Sequence, residues 1–150
     1  VINSPEWYSS VMPAGNLVGT AEEVARFYQM MLKGGEWKGK RICQESTIRR
    51  SVQEYGSLQF DKTLMIPMRY SAGLMLGGNP VGIWGKNSRH SFGHIGLLNK
   101  LCWADESRDI AVSVLTSGIP IIAHHIPALF SLVNSITKHC PQDRVPVLTA

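Results

Sequence analysis

Residues 91–118 read SFGHIGLLNKLCWADESRDIAVSVLTSG, and the reading of this stretch decides the fold. Two apolar segments, LNKLCWA (98–104) and DIAVSVLT (109–116), lie on either side of the polar run DESRD (105–109). A polar connection of this length between apolar runs predicts an antiparallel hairpin. In the second segment Ile110, Val112 and Val114 alternate with Ala111, Ser113 and Leu115. Apolar residues on both faces predict a central strand covered on both sides. Just upstream, GHIG (93–96) sets His94 among glycines at the mouth of this strand pair.

Working outward, IPIIAHHIPALFSLVNSITKH (119–139) predicts a closing helix over 121–139, with Pro127 delaying its start to the residues after Ile126. Upstream, RYSAGLMLGG (69–78) alternates weakly and ends on Gly77-Gly78, which predicts a strand, and 79–93 reads as turns. Thr20 and Glu23 form a T-x-x-E capping box. Val24, Phe27, Tyr28, Met31 and Leu32 then recur at helical spacing, and Gly34-Gly35 ends the helix. EWKGKRI (36–42) predicts a short hairpin around Lys38-Gly39, and ESTIRRSVQ (45–53) a short helix with Ile48 and Val52 on one face. The opening VINSPEWYSSVMPAGNLVG is expected to be irregular, and 55–69, which contains Pro67, a loop. The whole chain, 1–150, reads as one unit: a helical and loop part to about residue 70, sheet strands over 70–118, then the helix. Three antiparallel strands with helices make half of a layered α/β sandwich.

The composition is that of a folded domain, with 44% hydrophobic and 17% charged residues. No apolar run is long enough to span a membrane as a helix. Val1 is not a methionine and the first residues lack a signal-peptide pattern, so the chain reads as a piece of a longer protein. The net charge of +4 is scattered and not interleaved with aromatics, which argues against a nucleic-acid partner. Cys43, Cys102 and Cys140 have no C-x-x-C spacing, so neither a zinc site nor a closed disulfide framework is indicated. Cys102 reads as a small core residue. His124 and His125 are adjacent and cannot chelate as an i, i+4 pair would. No metal or other cofactor is called for.

Three blocks carry a resemblance. MPAGNLVGTAEEVARFYQMMLKGGEWKGKRI (12–42), YSAGLMLG (70–77) and FGHIGLLNKLCWADESRDIAVSVLTSG (92–118) are similar, in that order, to blocks of the β-lactamase-related serine hydrolases. That family includes class C β-lactamases, D-alanyl-D-alanine carboxypeptidases, D-aminopeptidases and esterases. The resemblance implies the C-terminal part of a β-lactamase/transpeptidase-like α/β sandwich, an antiparallel sheet flanked by helices. It implies acyl transfer through a serine in S-x-x-K, with a tyrosine from Y-x-N or Y-x-S, on a small-molecule ester, amide or β-lactam substrate. A strand carrying K-T-G, or H-x-G in several branches, closes the other wall.

In this chain His94, Ile95 and Gly96 occupy the H-x-G position. The resemblance makes them substrate-binding, with His94 catalytic by supporting the tyrosine or binding an anionic group, and with the backbone N–H of Leu97 an oxyanion-hole donor. Gly96 lets a substrate lie against the strand. A histidine here in place of lysine favours an esterase or peptidase over an efficient β-lactamase. His94 also has a purely structural reading, as a satisfied histidine at a strand end. The sequence departs from the family pattern at Asn16, at Leu97, Leu98, Asn99 and Lys100, and at Ser117.

The nucleophile is not evident. Ser135-Ile136-Thr137-Lys138 matches S-x-x-K, but it lies near the end of the last helix, where the dipole disfavours a developing anion. Tyr8-Ser9-Ser10 and Tyr55-Gly56-Ser57 imitate the tyrosine motif but fall in the wrong order relative to the other blocks. His90 reads as a loop histidine or a pocket-rim residue, Trp103 as a packing aromatic and Asp105 as a turn carboxylate. The serine, lysine and tyrosine are expected upstream of Val1. The competing reading is a non-catalytic module that binds a ligand, its missing N-terminal part or a second subunit through an uncovered sheet face.

Overall fold

Six strands form one antiparallel sheet in the computed structural model, which describes residues 4–12, 15, 17–96, 100–116 and 125–149. In chain order the elements are α1 (Pro5–Ser9), α2 (Ala21–Leu32), β1 (Glu36–Trp37), β2 (Lys40–Arg41), α3 (Glu45–Val52), β3 (Gln59–Asp61) and β4 (Ile66–Tyr70). There follow β5 (Met75–Leu76), β6 (Val81–Gly82), β7 (Gly85–Lys86), β8 (Ser91–Gly96), β9 (Lys100–Asp105), β10 (Ile110–Val114) and α4 (Ile126–His139). The large sheet has the order β10-β9-β8-β5-β4-β3, and β1-β2 and β6-β7 are separate two-stranded hairpins.

The helices start where the sequence places them. Thr20 caps α2 through the full capping box: its hydroxyl accepts from the Glu23 N–H, and the Glu23 carboxylate accepts from the Thr20 N–H at 2.8 Å. Gly34 and Gly35 follow the helix with φ of 61° and 90°, conformations that only glycine adopts without strain. α4 begins at Ile126 with Pro127 in its first turn, as the proline predicts. Residues 121–124, the first of the predicted helix, lie outside the described residues.

The sheet separates two cores. On one face α2 and α3 bury Tyr28, Met31, Ile48 and Val52 against Leu76, Phe92, Cys102 and Ala104. On the other, α4 lays Val133 onto a cluster that includes Met68, Met75, Trp84 and Trp103. Trp84 and Trp103 stack with centroids 5.4 Å apart, and the Trp84 indole N–H donates to the Met75 carbonyl at 2.9 Å. The result is a helix–sheet–helix sandwich, the predicted class.

Several local expectations are corrected. The opening is not wholly irregular: Ser4 accepts from the Trp7 N–H and starts the short α1, with Pro5 in its first turn. The predicted loop 55–69 contains β3 and most of β4. Pro67 is tolerated there because β5 pairs only with Arg69 and Tyr70, leaving Pro67 a strand neighbour on one side, Phe60. The single strand expected over 69–78 is a corner, with β4 ending at Tyr70 and β5 returning at Met75. β10 is an edge strand of the described sheet, not a central one. Its two apolar faces arise because Ala111 packs on the α2 side while Val112 and Val114 pack on the α4 side. Within α2, Phe27 faces outward, and the buried stripe runs through Tyr28, Met30 and Met31.

Candidate active site

β8 is held along its whole length by β9, from Ser91 opposite Asp105 to Gly96 opposite Lys100. Gly93 makes this contact possible: a Cβ there would meet the Cys102 carbonyl oxygen at 2.3 Å and the Trp103 Cβ at 2.5 Å. On its other side β8 pairs with β5 only at Phe92 and Gly93. Beyond Gly93, the segment His94-Ile95-Gly96 has no strand partner on that edge among the described residues.

The direction of the peptide groups follows from one hydrogen bond. The Gly77 N–H donates to the Ser91 carbonyl at 2.8 Å, so Ser91 turns its peptide groups toward the β5 side. Alternation along an antiparallel strand then turns those of Gly93 and Ile95 the same way. Ile95 therefore presents its N–H and C=O at the open edge. Its side chain, on the α4 face, lines an apolar cleft of about 260 Å3 with Leu64, Ile66, Leu101, Leu129 and Phe130.

His94 is on the opposite face, the one that carries Phe92. Phe92 is fully buried under α2 and α3, whereas two residues on His94 is exposed. The buried Tyr28 phenol on this face interacts with Cys102 and with the His94 backbone. Burial holds that phenol protonated far above its usual range, Cys102 adds to the effect, and a hydrogen bond with the His94 backbone offsets part of it. Helical spacing alone places Tyr28 in an apolar stripe; its contact with the His94 strand depends on how α2 crosses the sheet.

The model of the Beta-lactamase family matches residues 2–122. This chain belongs to the β-lactamase family. It is 29% identical over 135 residues to the esterase/beta-lactamase LipL of Mycobacterium tuberculosis, an alignment covering 89% of this chain and 30% of that protein. Among solved structures it is similar to a penicillin-binding protein homolog from Caulobacter crescentus, with a TM-score of 0.64, 22% identity, and 80% and 32% of the two chains covered. It is also similar to a family VIII carboxylesterase, with a TM-score of 0.57, 19% identity, and coverage of 75% and 30%. The chain thus spans about a third of the length of these relatives.

Within this β-lactamase-family fold, His94, Ile95 and Gly96 stand together at the open end of β8. Leu97, the expected oxyanion donor, lies outside the described residues, as do Asn16, Leu98, Asn99 and Ser117. Ser135 and Lys138 sit exposed near the C-terminus of α4, whose Thr137 and Asn134 pack against Gly85 of β7. The Ser135 carbonyl accepts from His139 Nδ1 at 2.7 Å, an ordinary helix-end contact. Tyr8 and Tyr55 are exposed by 52% and 80%, on α1 and in the connection after α3. His90 is a connector residue whose Nδ1 lies 2.8 Å from the Thr149 hydroxyl, so it binds the C-terminal tail.

Proposed function

We infer that this chain supplies the H-x-G wall of an acyl-transfer serine hydrolase acting on an ester, a D-amino-acid peptide or a β-lactam. The observation that carries the reading is the open edge of β8 from His94 to Gly96 in a chain of this family. A substrate acyl group lies along that edge, hydrogen-bonded to the Ile95 peptide groups as an added strand would be. Gly96 keeps the approach free of a side chain. The Leu97 N–H donates to the carbonyl oxygen as it gains negative charge, an interaction worth about 3–4 kcal/mol in the transition state.

The nucleophilic serine, with its lysine and tyrosine, comes from sequence outside this chain. Its Oγ bonds to the substrate carbonyl carbon while its proton passes to the base; the carbon–leaving-group bond then breaks and the leaving group takes that proton. Water, deprotonated in the same manner, releases the acid and restores the serine. His94, exposed at the rim, donates a hydrogen bond to the tyrosine oxygen or to an anionic group of the substrate.

A fluorophosphonate probe tests this reading on the 150-residue chain and on the longer protein. The longer protein is expected to label at a serine outside residues 1–150, and the chain alone is expected not to label. In the longer protein, H94A is expected to lower kcat/KM for a small ester by roughly a hundredfold, a typical loss for a proton-handling group. Stoichiometric labelling of Ser135, or of any serine within the chain, overturns the reading.

A further inference from the structure

Ser46, Arg49 and Arg50 are spaced i, i+3 and i+4 on α3, so they share one face of that helix, and Gln53 follows at its C-cap. This face looks onto a cavity of about 600 Å3, with Arg69 of β4, Arg89, Ser91 and Thr149 on the other walls. Four arginines, from a helix, a strand and a connector, thus line this cavity.

The nearby acids are already engaged. Glu45 accepts from Arg49 at 2.9 and 2.7 Å. Glu54 accepts from Arg69 Nε and Nη2 at 2.8 and 2.7 Å, and Arg69 donates further to the Gly77 carbonyl at 2.6 Å. The Arg69 hydrogen bonds, helped by the charge of Arg89, hold the Glu54 carboxyl below its usual range, so it remains an anion bound to Arg69. Arg50 and Arg89 have no acidic partner among the described residues. The cavity wall thus carries four arginines against one carboxylate, Glu54.

We propose that this cavity binds a small anion through phosphate or carboxylate groups, gripped by Arg50 and Arg89. Guanidinium forks match both groups with paired, charge-assisted hydrogen bonds. Ser46 and Gln53, which also line the cavity, add neutral donors. The volume falls within the usual range for small-molecule sites, about 300–1,000 Å3. The site lies at the Ser91 end of β8, away from His94, and does not depend on the acyl-transfer reading.

Titration calorimetry of the purified protein with pyrophosphate and with citrate, at low and at physiological salt, tests the proposal. Saturable binding of one anion per chain, weakening as salt rises, is the expected result. The variant R50Q/R89Q is expected to lose at least about tenfold in affinity, the contribution of one charge-assisted hydrogen bond. The variant K40Q/K62Q removes the same charge elsewhere and is expected to bind within about twofold of the parent. R50K/R89K keeps the charge without the planar fork, so it is expected to stay folded and to bind more weakly. Pyrophosphate binding alone assigns phosphate esters, citrate alone assigns carboxylates, and binding of both assigns oxyanions in general. Absence of saturable binding, or equal losses in the Arg and Lys double variants, overturns the proposal.

Discussion

Arg108 and Asp105 form an ion pair at 2.6 Å, with side chains only 5% and 1% exposed. Asp105 also accepts from the Ser91 hydroxyl at 2.7 Å and from the Arg108 N–H at 3.1 Å. Arg108 reaches the carbonyls of Lys86 and Asn87 and, at the end of α4, those of Thr137 and Cys140. One side chain therefore joins the β9–β10 turn to β7 and to the helix C-terminus, where a cation also complements the dipole. Removing one member of a buried pair strands the other, so R108M and D105N are each expected to cost about 3–5 kcal/mol. Replacing both with apolar residues is expected to cost less than the sum, as urea denaturation of the two single variants and the double variant will show.

Gly93 and Gly96 differ in how tightly the neighbouring strand packs against them. A Cβ at Gly93 overlaps the β9 backbone, so G93A is expected to destabilise by about 3 kcal/mol or more. At Gly96 the nearest atom to an added Cβ is the Lys100 Cβ at 3.2 Å, a contact that a shift of a few tenths of an ångström relieves. G96A is expected to fold with less than about 1 kcal/mol lost, and to lower esterase activity in the longer protein. Thermal unfolding of both variants, alongside activity of G96A, checks the contrast.

Glu106 anchors the C-terminal tail. Its carboxylate accepts from the N–H groups of Val147, Leu148 and Thr149 and from the Thr149 hydroxyl. Leu148 is thereby held in the core beneath α3. E106Q keeps the size and removes the charge, so about 1.5–3 kcal/mol of tail docking is expected to be lost. Hydrogen exchange at Val147, Leu148 and Thr149 is expected to speed up well before that of β8 and β9.

Stability is expected to fall at both ends of the pH range. Glu54, bonded to Arg69, and Asp61, bonded to Tyr70 and to the N–H groups of Leu64 and Thr63, have carboxyls below their ordinary values of 4.5 and 3.8. Such groups stabilise the fold above those values and lose their contribution as pH falls through the lower, folded ones. Tyr70 is pushed up from 10 to about 12 by burial and by Asp61, so its contribution is complete below pH 10 and is lost as pH rises toward 12. Denaturant midpoints across pH will show both limbs. E54Q is expected to flatten the acid limb and Y70F the alkaline one.

Local interactions made much of this fold legible. The Thr20–Glu23 box, the Lys38-Gly39 turn, Pro127 and the DESRD connection each fix an element through residues within a few positions of one another. The three family-like blocks likewise marked His94-Ile95-Gly96 before any strand order was known. β3, the start of β4 and the corner between β4 and β5 were not legible, since short strands with a proline and only weak alternation carry no clear period to read. They form only because neighbours distant in sequence pair with them.

What the sequence by itself determined is the set of elements whose signals are local: capped helices, tight turns, and apolar strands beside a polar connector. Only the tertiary structure decided which edge of β8 lacks a partner strand among the described residues, that β10 ends the described sheet with both faces half-buried, and that Arg50 and Arg89 line one cavity. These depend on sheet order and on the packing of α2, α3 and α4, and so on contacts between residues far apart in the chain. No single stretch of sequence encodes such contacts, because a strand pattern specifies its faces but not its neighbours.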